Sequence, residues 1–256
     1  SWKRPSGEWY GNAVRNFRAV NFSDIQINNL GVVVDPDIGD ERGANFDLGY
    51  RTTNESWTLD VSAFLLLYQD RIGLLATTIP DPILVEKPVL LRTNLSDART
   101  SGLECAGRGS WSFTENSRTT IVGSFSAMHS RYAKGSLPVI EGNEVELVPK
   151  AIVRLSVAHT SGLWSWQCLM QHVANQFTEA TNSTYTATAL HGLIPRHQVL
   201  DLGAQRRWSD SGWSLGLKVN NALNAQYFTR RALAYPGPGI LPADGINVRL
   251  TLRYSA

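Results

Sequence analysis

The chain has little of what marks an ordinary soluble domain or a helical membrane protein. Charged residues make up 18% of its 256 positions, against the roughly 25% usual for soluble domains. Twenty-four Lys and Arg face 22 Asp and Glu, a formal charge of +2, so no basic footprint asks for nucleic acid. The only cysteines are Cys105 and Cys168. A pair so far apart is neither a disulfide framework nor a zinc spacing. The longest apolar run, Ala63 to Tyr68, falls far short of the ~18 residues that a membrane helix needs. Ser1-Trp-Lys-Arg-Pro5 is followed by no apolar stretch of signal-peptide type, so a mature form or a fragment is expected. The histidines at 129, 159, 172, 191 and 197 share no ligand spacing; no metal site and no cofactor are expected.

What the chain does have is alternation with a period of two. Trp213, Leu215, Leu217 and Val219 alternate with Ser214, Gly216, Lys218 and Asn220. Val248, Leu250, Leu252 and Tyr254 alternate with Arg249, Thr251 and Arg253, and Leu59 to Leu67 carry an apolar residue at every odd position. Ten strands are read at about 9–19, 42–52, 56–72, 93–113, 118–132, 148–160, 163–177, 197–208, 212–226 and 246–255. Short polar turns at Thr53–Glu55, Thr114–Ser117, Ser161–Gly162 and Ser209–Ser211 alternate with long loops at 20–41, 73–92, 133–147, 178–196 and 227–245. The expected fold class is therefore all-β: an antiparallel meander with short turns at one end and long loops at the other, as in a transmembrane β-barrel.

A soluble sandwich also alternates, but two features favour the barrel. One face of the strands is charged, through Asp47, Asp60, Glu104, Arg108, Arg154, Asp201, Arg207, Lys218, Arg249 and Arg253, which suits a wet lumen. Six of the eight tryptophans (Trp57, Trp111, Trp164, Trp166, Trp208 and Trp213) lie beside the short turns, where an interfacial girdle belongs. Cys105 and Cys168 fall on apolar faces and read as lipid-facing or packed small residues.

The chain resembles TonB-dependent outer-membrane receptors, in particular the ferric dicitrate type, over essentially its whole length. The segments that carry the resemblance run from Arg15 to Asp24, Asp40 to Tyr50, Tyr68 to Ile72, Arg92 to Arg99, Gln176 to Asn182, Val219 to Asn224 and Tyr227 to Pro242. The resemblance implies the C-terminal part of a 22-stranded barrel, with long loops outside the cell and short turns in the periplasm. It implies a receptor that imports a ferric chelate, iron(III) dicitrate first; no Ser/His/Asp or paired-carboxylate cluster converges at one rim, so no enzyme is expected. Partners would be the chelate, outer-membrane lipid and lipopolysaccharide, and the TonB complex through a plug domain. Residues 1–256 read as one barrel segment without that plug. The alternative is a self-contained ten-stranded barrel, a passive pore or membrane enzyme, in which strand 9–19 would close on strand 246–255.

Arg92, Arg131, Arg230 and Arg231 are the candidate substrate contacts, because guanidinium forks match carboxylates bidentately. The competing reading pairs them with lipopolysaccharide phosphates or with loop acids such as Asp97 and Asp244. Pro236 and Pro238 are expected to stiffen the loop that holds Arg230 and Arg231. The asparagines of Val219–Asn224 read as strand-end structure.

Overall fold

Alternation becomes a wall in the computed structural model, which describes residues 1–27, 31–133, 137–187, 189–208, 211–232 and 239–255. Its elements begin with β1 (Trp2–Arg4), β2 (Gly7–Arg18), the helical turn α1 (Phe22–Ile25), β3 (Val32–Val34), β4 (Glu41–Thr53), β5 (Trp57–Asp81) and β6 (Val85–Thr114). They continue with β7 (Ser117–Tyr132), β8 (Ala151–Ser161), β9 (Trp164–Val173), β10 (Gln176–Phe177), β11 (Leu193–Ile194) and β12 (His197–Trp208). The last are β13 (Trp213–Asn220), β14 (Phe228–Ala232), β15 (Gly239–Pro242) and β16 (Asn247–Tyr254).

The large sheet runs in the order β1-β2-β4-β5-β6-β7-β8-β9-β12-β13-β16, with β3 added in parallel to β6. Its ten long strands are those read from alternation. Strand β1 is additional: it turns back onto β2 through Pro5 and Ser6, so β2 is paired on both sides, with β1 and β4. The closure of strand 9–19 on strand 246–255, which the alternative of a self-contained ten-stranded barrel requires, is not made. The sheet is open, with β1 and β16 at its edges.

Register separates the two faces along the wall. Trp9, Tyr50, Val61, Cys105, Phe125 and Val153 are successive cross-strand partners, and Gly11, Leu48, Ala63, Leu103, Ala127 and Ala151 form the next row up. These rows make one apolar, solvent-open face: Leu48 is 61% and Leu103 57% exposed. Apolar exposure on this scale marks a surface that is covered in its working environment. The charged positions lie on the other face, where Glu8, Arg51, Asp60 and Ala106 are aligned, as are Gly203, Lys218 and Arg249.

The tryptophans behave as a girdle rather than as core. Trp57, Trp111, Trp164, Trp166 and Trp213 are all exposed on the apolar face near the short turns. Trp164 and Trp166 stack at 5.9 Å, and the Arg206 guanidinium sits 5.2 Å and 5.1 Å from the Trp164 and Trp208 rings. Both free cysteines, half-buried, lie on the same face. Among the described residues no helix is long and apolar enough to cross a membrane; strands would do the crossing.

The turn at 54–56 is closed by Asn54, whose Oδ1 accepts from the Ser56 and Trp57 amides. At the next-but-one turn, Gly162 has a left-handed φ of 57°, a region that suits glycine. The turn expected at Ser209–Ser211 lies partly outside the described residues, as Ser209 does.

One expected loop is a ribbon. Segment 73–92 continues β5 and β6 as an antiparallel hairpin in which Leu75, Ala76 and Thr77 face Leu91, Leu90 and Val89. The turn residues are only Pro82, Ile83 and Leu84. Pro and Gly in this stretch suggested a break, but the β-branched and aliphatic residues between them pair across the ribbon and gain a third strand, β3. A bulge at Tyr68–Ile72, with Asp70 at φ 52°, marks where the ribbon departs from the wall.

Candidate binding site at the long-loop end

The long-loop end carries a small closed core of its own. Leu75 and Leu95 from the ribbon pack with Ala98, Tyr132, Ile140, Val145 and Ala180. Val32, Leu90 and Leu190 form a second cluster beside it. The loops between β7 and β8 and between β9 and β12 thus fold down onto the ribbon, because each supplies apolar residues that the other covers.

Polar side chains fix this cap. Glu146 is 6% exposed; its carboxylate accepts from Tyr132 Oη at 2.6 Å and from Arg71 Nη1 at 3.1 Å. Glu179 is fully buried and accepts from the Thr181 amide, Thr181 Oγ1 and the Ser183 amide at 2.7, 2.8 and 2.9 Å. Asn182, at φ 57°, exchanges bonds with the Glu144 backbone at 2.7 and 2.8 Å, and Asn143 Nδ2 donates to Ala180 O. The Gln176–Asn182 motif is therefore a clamp between two loops. Asn94 does the same lower down, donating to Gly39 O and Asp70 O while accepting from the Gly39 amide.

Asn221 terminates β13 with a left-handed φ of 48°. It donates to Ala225 O and Asp244 O and accepts from the Ala225 amide, while its own amide reaches Asp201. Asn224 Oδ1 accepts from the Ile246 amide. These asparagines hold a strand end, as expected of them.

The four candidate arginines go to separate places. Arg92 donates to Ser23 O at 3.1 Å and pairs with Asp24 at 3.4 Å. Asp24 also receives both bonds of Arg18, at 2.7 and 2.8 Å, and closes the capping box of α1. Arg131 donates to Gly142 O and pairs at 3.7 Å with Glu144, which Lys150 shares. Arg231 donates to Ala189 O and Leu193 O, lies over the Phe228 ring and is held on β14 against the β11 loop. Arg230, its neighbour, is exposed and has no partner among the described residues. No contact links any two of the four. The loop acids that were met are Asp24 and Glu144; Asp97 and Asp244 pair with neither arginine of their own region. Pro236 and Pro238 lie outside the described residues.

The residues that order this end most firmly, Glu146, Glu179, Tyr132 and Asn94, were not singled out by sequence. The available signal was Thr178-Glu-Ala-Thr-Asn182, a run whose side chains habitually bond their own backbone. Among the described residues no three His, Cys, Asp or Glu side chains gather as a metal site would need.

His191 gives this cap a pH dependence. Its Nδ1 is buried 3.9 Å from Glu179 Oε1 without a hydrogen-bond partner. Burial pushes its pKa down, Glu179 opposes that and Arg231 adds to it. A histidine with a depressed folded pKa contributes stability at pH above its unfolded value, about 6.5, which is lost as pH falls through and below that value. Protection factors over residues 178–187, with exchange rates corrected for their intrinsic pH dependence, are expected to fall as pH drops from about 7.5 to 5.5, and His191→Gln should flatten that profile.

A family model described as "TonB dependent receptor-like, beta-barrel" matches residues 1–222. No curated protein matches the chain. Several solved structures do. The ferric citrate transporter FecA in its unliganded form gives a TM-score of 0.69 at 18% identity, over 97% of this chain and 35% of that one. The ferric yersiniabactin uptake receptor FyuA from Yersinia pestis gives 0.68 at 16%, over 99% and 35%. The siderophore receptor PiuA from Acinetobacter baumannii gives 0.69 at 16%, over 99% and 34%. At these identities the likeness shows the fold alone. The chain spans about a third of the length of the solved structures it matches.

Proposed function

The chain belongs to the TonB-dependent receptor β-barrel family, an outer-membrane family of receptors and transporters, and from that premise we propose that it is a segment of the wall and outer loops of a ferric-chelate receptor. Residues 1–256 act as one barrel unit, working with a plug domain through which the TonB complex engages the receptor. The observation that carries this reading is the wall itself. It has one apolar face with a tryptophan girdle, one charged face, and a folded cap at the long-loop end only.

Iron(III) dicitrate is the first substrate on this reading, another ferric siderophore the second. Support comes from the printed descriptions of FecA, FyuA and PiuA as ferric citrate, ferric yersiniabactin and siderophore proteins. It also comes from Arg230, an exposed guanidinium with no partner among the described residues, which can take a carboxylate. Arg231, Arg92 and Arg131 serve as loop-holding groups, and they affect the chelate through loop geometry.

The pair of β14 arginines makes the test. Arg230→Ala in the native outer-membrane protein is expected to weaken ferric citrate binding by roughly tenfold, the scale of one charge-assisted hydrogen-bonded contact, with the cap still protease-resistant. Arg231→Ala should loosen residues 189–193. Unchanged affinity in Arg230→Ala would remove the physical support for citrate and leave the barrel reading untouched.

A further inference from the structure

The ribbon formed by the ends of β5 and β6 leaves one short stretch of backbone open, with closed positions on either side of it. Backbone groups point alternately into and out of such a ribbon. On β6, the Leu90 amide donates outward to Gly31 O at 2.8 Å, and Arg92 O accepts from the Asp35 amide at 2.9 Å. Their cross-strand partners on β5, Ala76 and Leu74, therefore also point outward. Leu74 O accordingly accepts from the Ala180 amide at 2.9 Å. The same parity turns the backbone groups of Thr78, Pro80, Glu86 and Pro88 outward.

Both edges of the ribbon are blunted except at one place. On β6, β3 covers residues 90–92, and Pro88 has no amide hydrogen to offer. On β5, the Ala180 amide occupies Leu74 O and Pro80 lacks a donor. Between them Ala76 and Thr78 keep both amide and carbonyl without a backbone partner among the described residues. Proline on an edge protects it against the addition of another strand, so the unprotected pair forms a window. Leu190 packs on the ribbon at Leu74, Ala76 and Leu90. Beside it lies an open pocket of ≈ 230 Å³ lined by Ala76, Thr78, Pro88, Leu90, Leu190 and His191.

We propose that this window is a strand-addition site for an extended segment of a polypeptide partner, which pairs antiparallel with β5 through Ala76 and Thr78 and sets an apolar side chain in the pocket. The free groups specify the occupant. Two amides and two carbonyls, repeating every two residues or about 7 Å, match alternate residues of another backbone and fit neither a compact ion nor a sugar ring. Partner residues opposite Ala76 and Thr78 exchange both bonds with them and place their side chains on the same face, over the pocket. Main-chain bonds then supply affinity, and the mainly aliphatic lining selects the side chain. A segment that runs on past Pro80 meets Ile83, Leu84 and Val85, all exposed at the ribbon tip. The site uses none of the four candidate arginines, so it stands apart from the chelate reading.

Peptide binding to the native full-length protein, followed by fluorescence anisotropy, tests the window. The probe is a labelled octapeptide of alternating threonine and valine, and its counterpart is methylated at the valine amide nitrogens. Wild type should bind the probe and lose at least about tenfold in affinity for the methylated peptide, the scale of two lost backbone hydrogen bonds. Ala76→Pro with Thr78→Pro removes the two outward donors and no bond of the ribbon, and should weaken the probe by a similar factor. Lysine in place of valine should weaken it as well, because the pocket is mainly aliphatic. Equal affinity for the methylated and unmethylated peptides overturns strand addition, whatever the proline variant does to the ribbon. Undiminished binding by the proline variant places the peptide elsewhere and overturns the window, and lysine accepted as readily as valine overturns the pocket assignment. Failure of the unmethylated probe to bind wild type at millimolar concentration overturns the site outright.

Discussion

Replacing Val61 by arginine (Val61→Arg) is expected to block insertion of the wall, while the same change one residue on, Ser62→Arg, is expected to leave it intact. Val61 lies between Tyr50 and Cys105 on the apolar face, roughly four residues above Trp57, and is 38% exposed there. A cation near the middle of the hydrocarbon costs about 2–4 kcal/mol on the lipid face of a barrel. Ser62 faces the other way, aligned with Gly49 and Glu104, so an arginine there finds water and a carboxylate. Heat-modifiable migration after refolding reads the difference. Equal assembly of the two variants would show that the apolar face does not meet lipid. The comparison works because side chains alternate strictly: one residue along the chain exchanges bilayer for lumen.

Glu146→Ala is expected to release the cap without touching the wall. Its carboxylate answers Arg71, whose side chain is 19% exposed, and the buried Tyr132 hydroxyl. Removing one member of a buried pair leaves the other uncompensated and costs about 3 kcal/mol, lost here from the local stability of the cap. Limited proteolysis should then cut within 137–150 and 178–187, while the strands stay protected. Glu144→Ala is the control: its partners Arg131 and Lys150 are 39% and 55% exposed, so its loss should cost no more than about 1 kcal/mol. If Glu146→Ala resists cleavage as wild type does, the buried network is not what holds the loops.

The same two variants divide what was legible from what was not. The wall is written locally. Period two assigns each residue of β5 or β13 to a face without knowledge of any partner, and six tryptophans beside the short turns mark one end. The strand ends are less local, since β13 stops at Asn221 because that residue turns left-handed to bond Ala225 and Asp244. The strand expected over 212–226 therefore ends at Asn220.

The candidate site was legible only as a list of arginines. Their composition predicted anion binding, but their partners lie far along the chain: Asp24 reaches Arg92 across 68 residues, and Arg71 reaches Glu146 across 75. Nothing in the run 73–92 announced that it would pair with itself and recruit Val32–Val34.

The sequence by itself determined the all-β meander, the strand order, the two faces and the end at which loops gather. Those properties follow from nearest-neighbour alternation and from turn residues acting on their own backbone. Tertiary structure alone decided that 73–92 is a ribbon, that β2 is paired on both sides, and that three of four candidate guanidiniums are spent on loop carbonyls and acids. The physical reason is common to all of these: each depends on which distant segment arrives alongside, and packing and charge pairing across such distances leave no period in the chain.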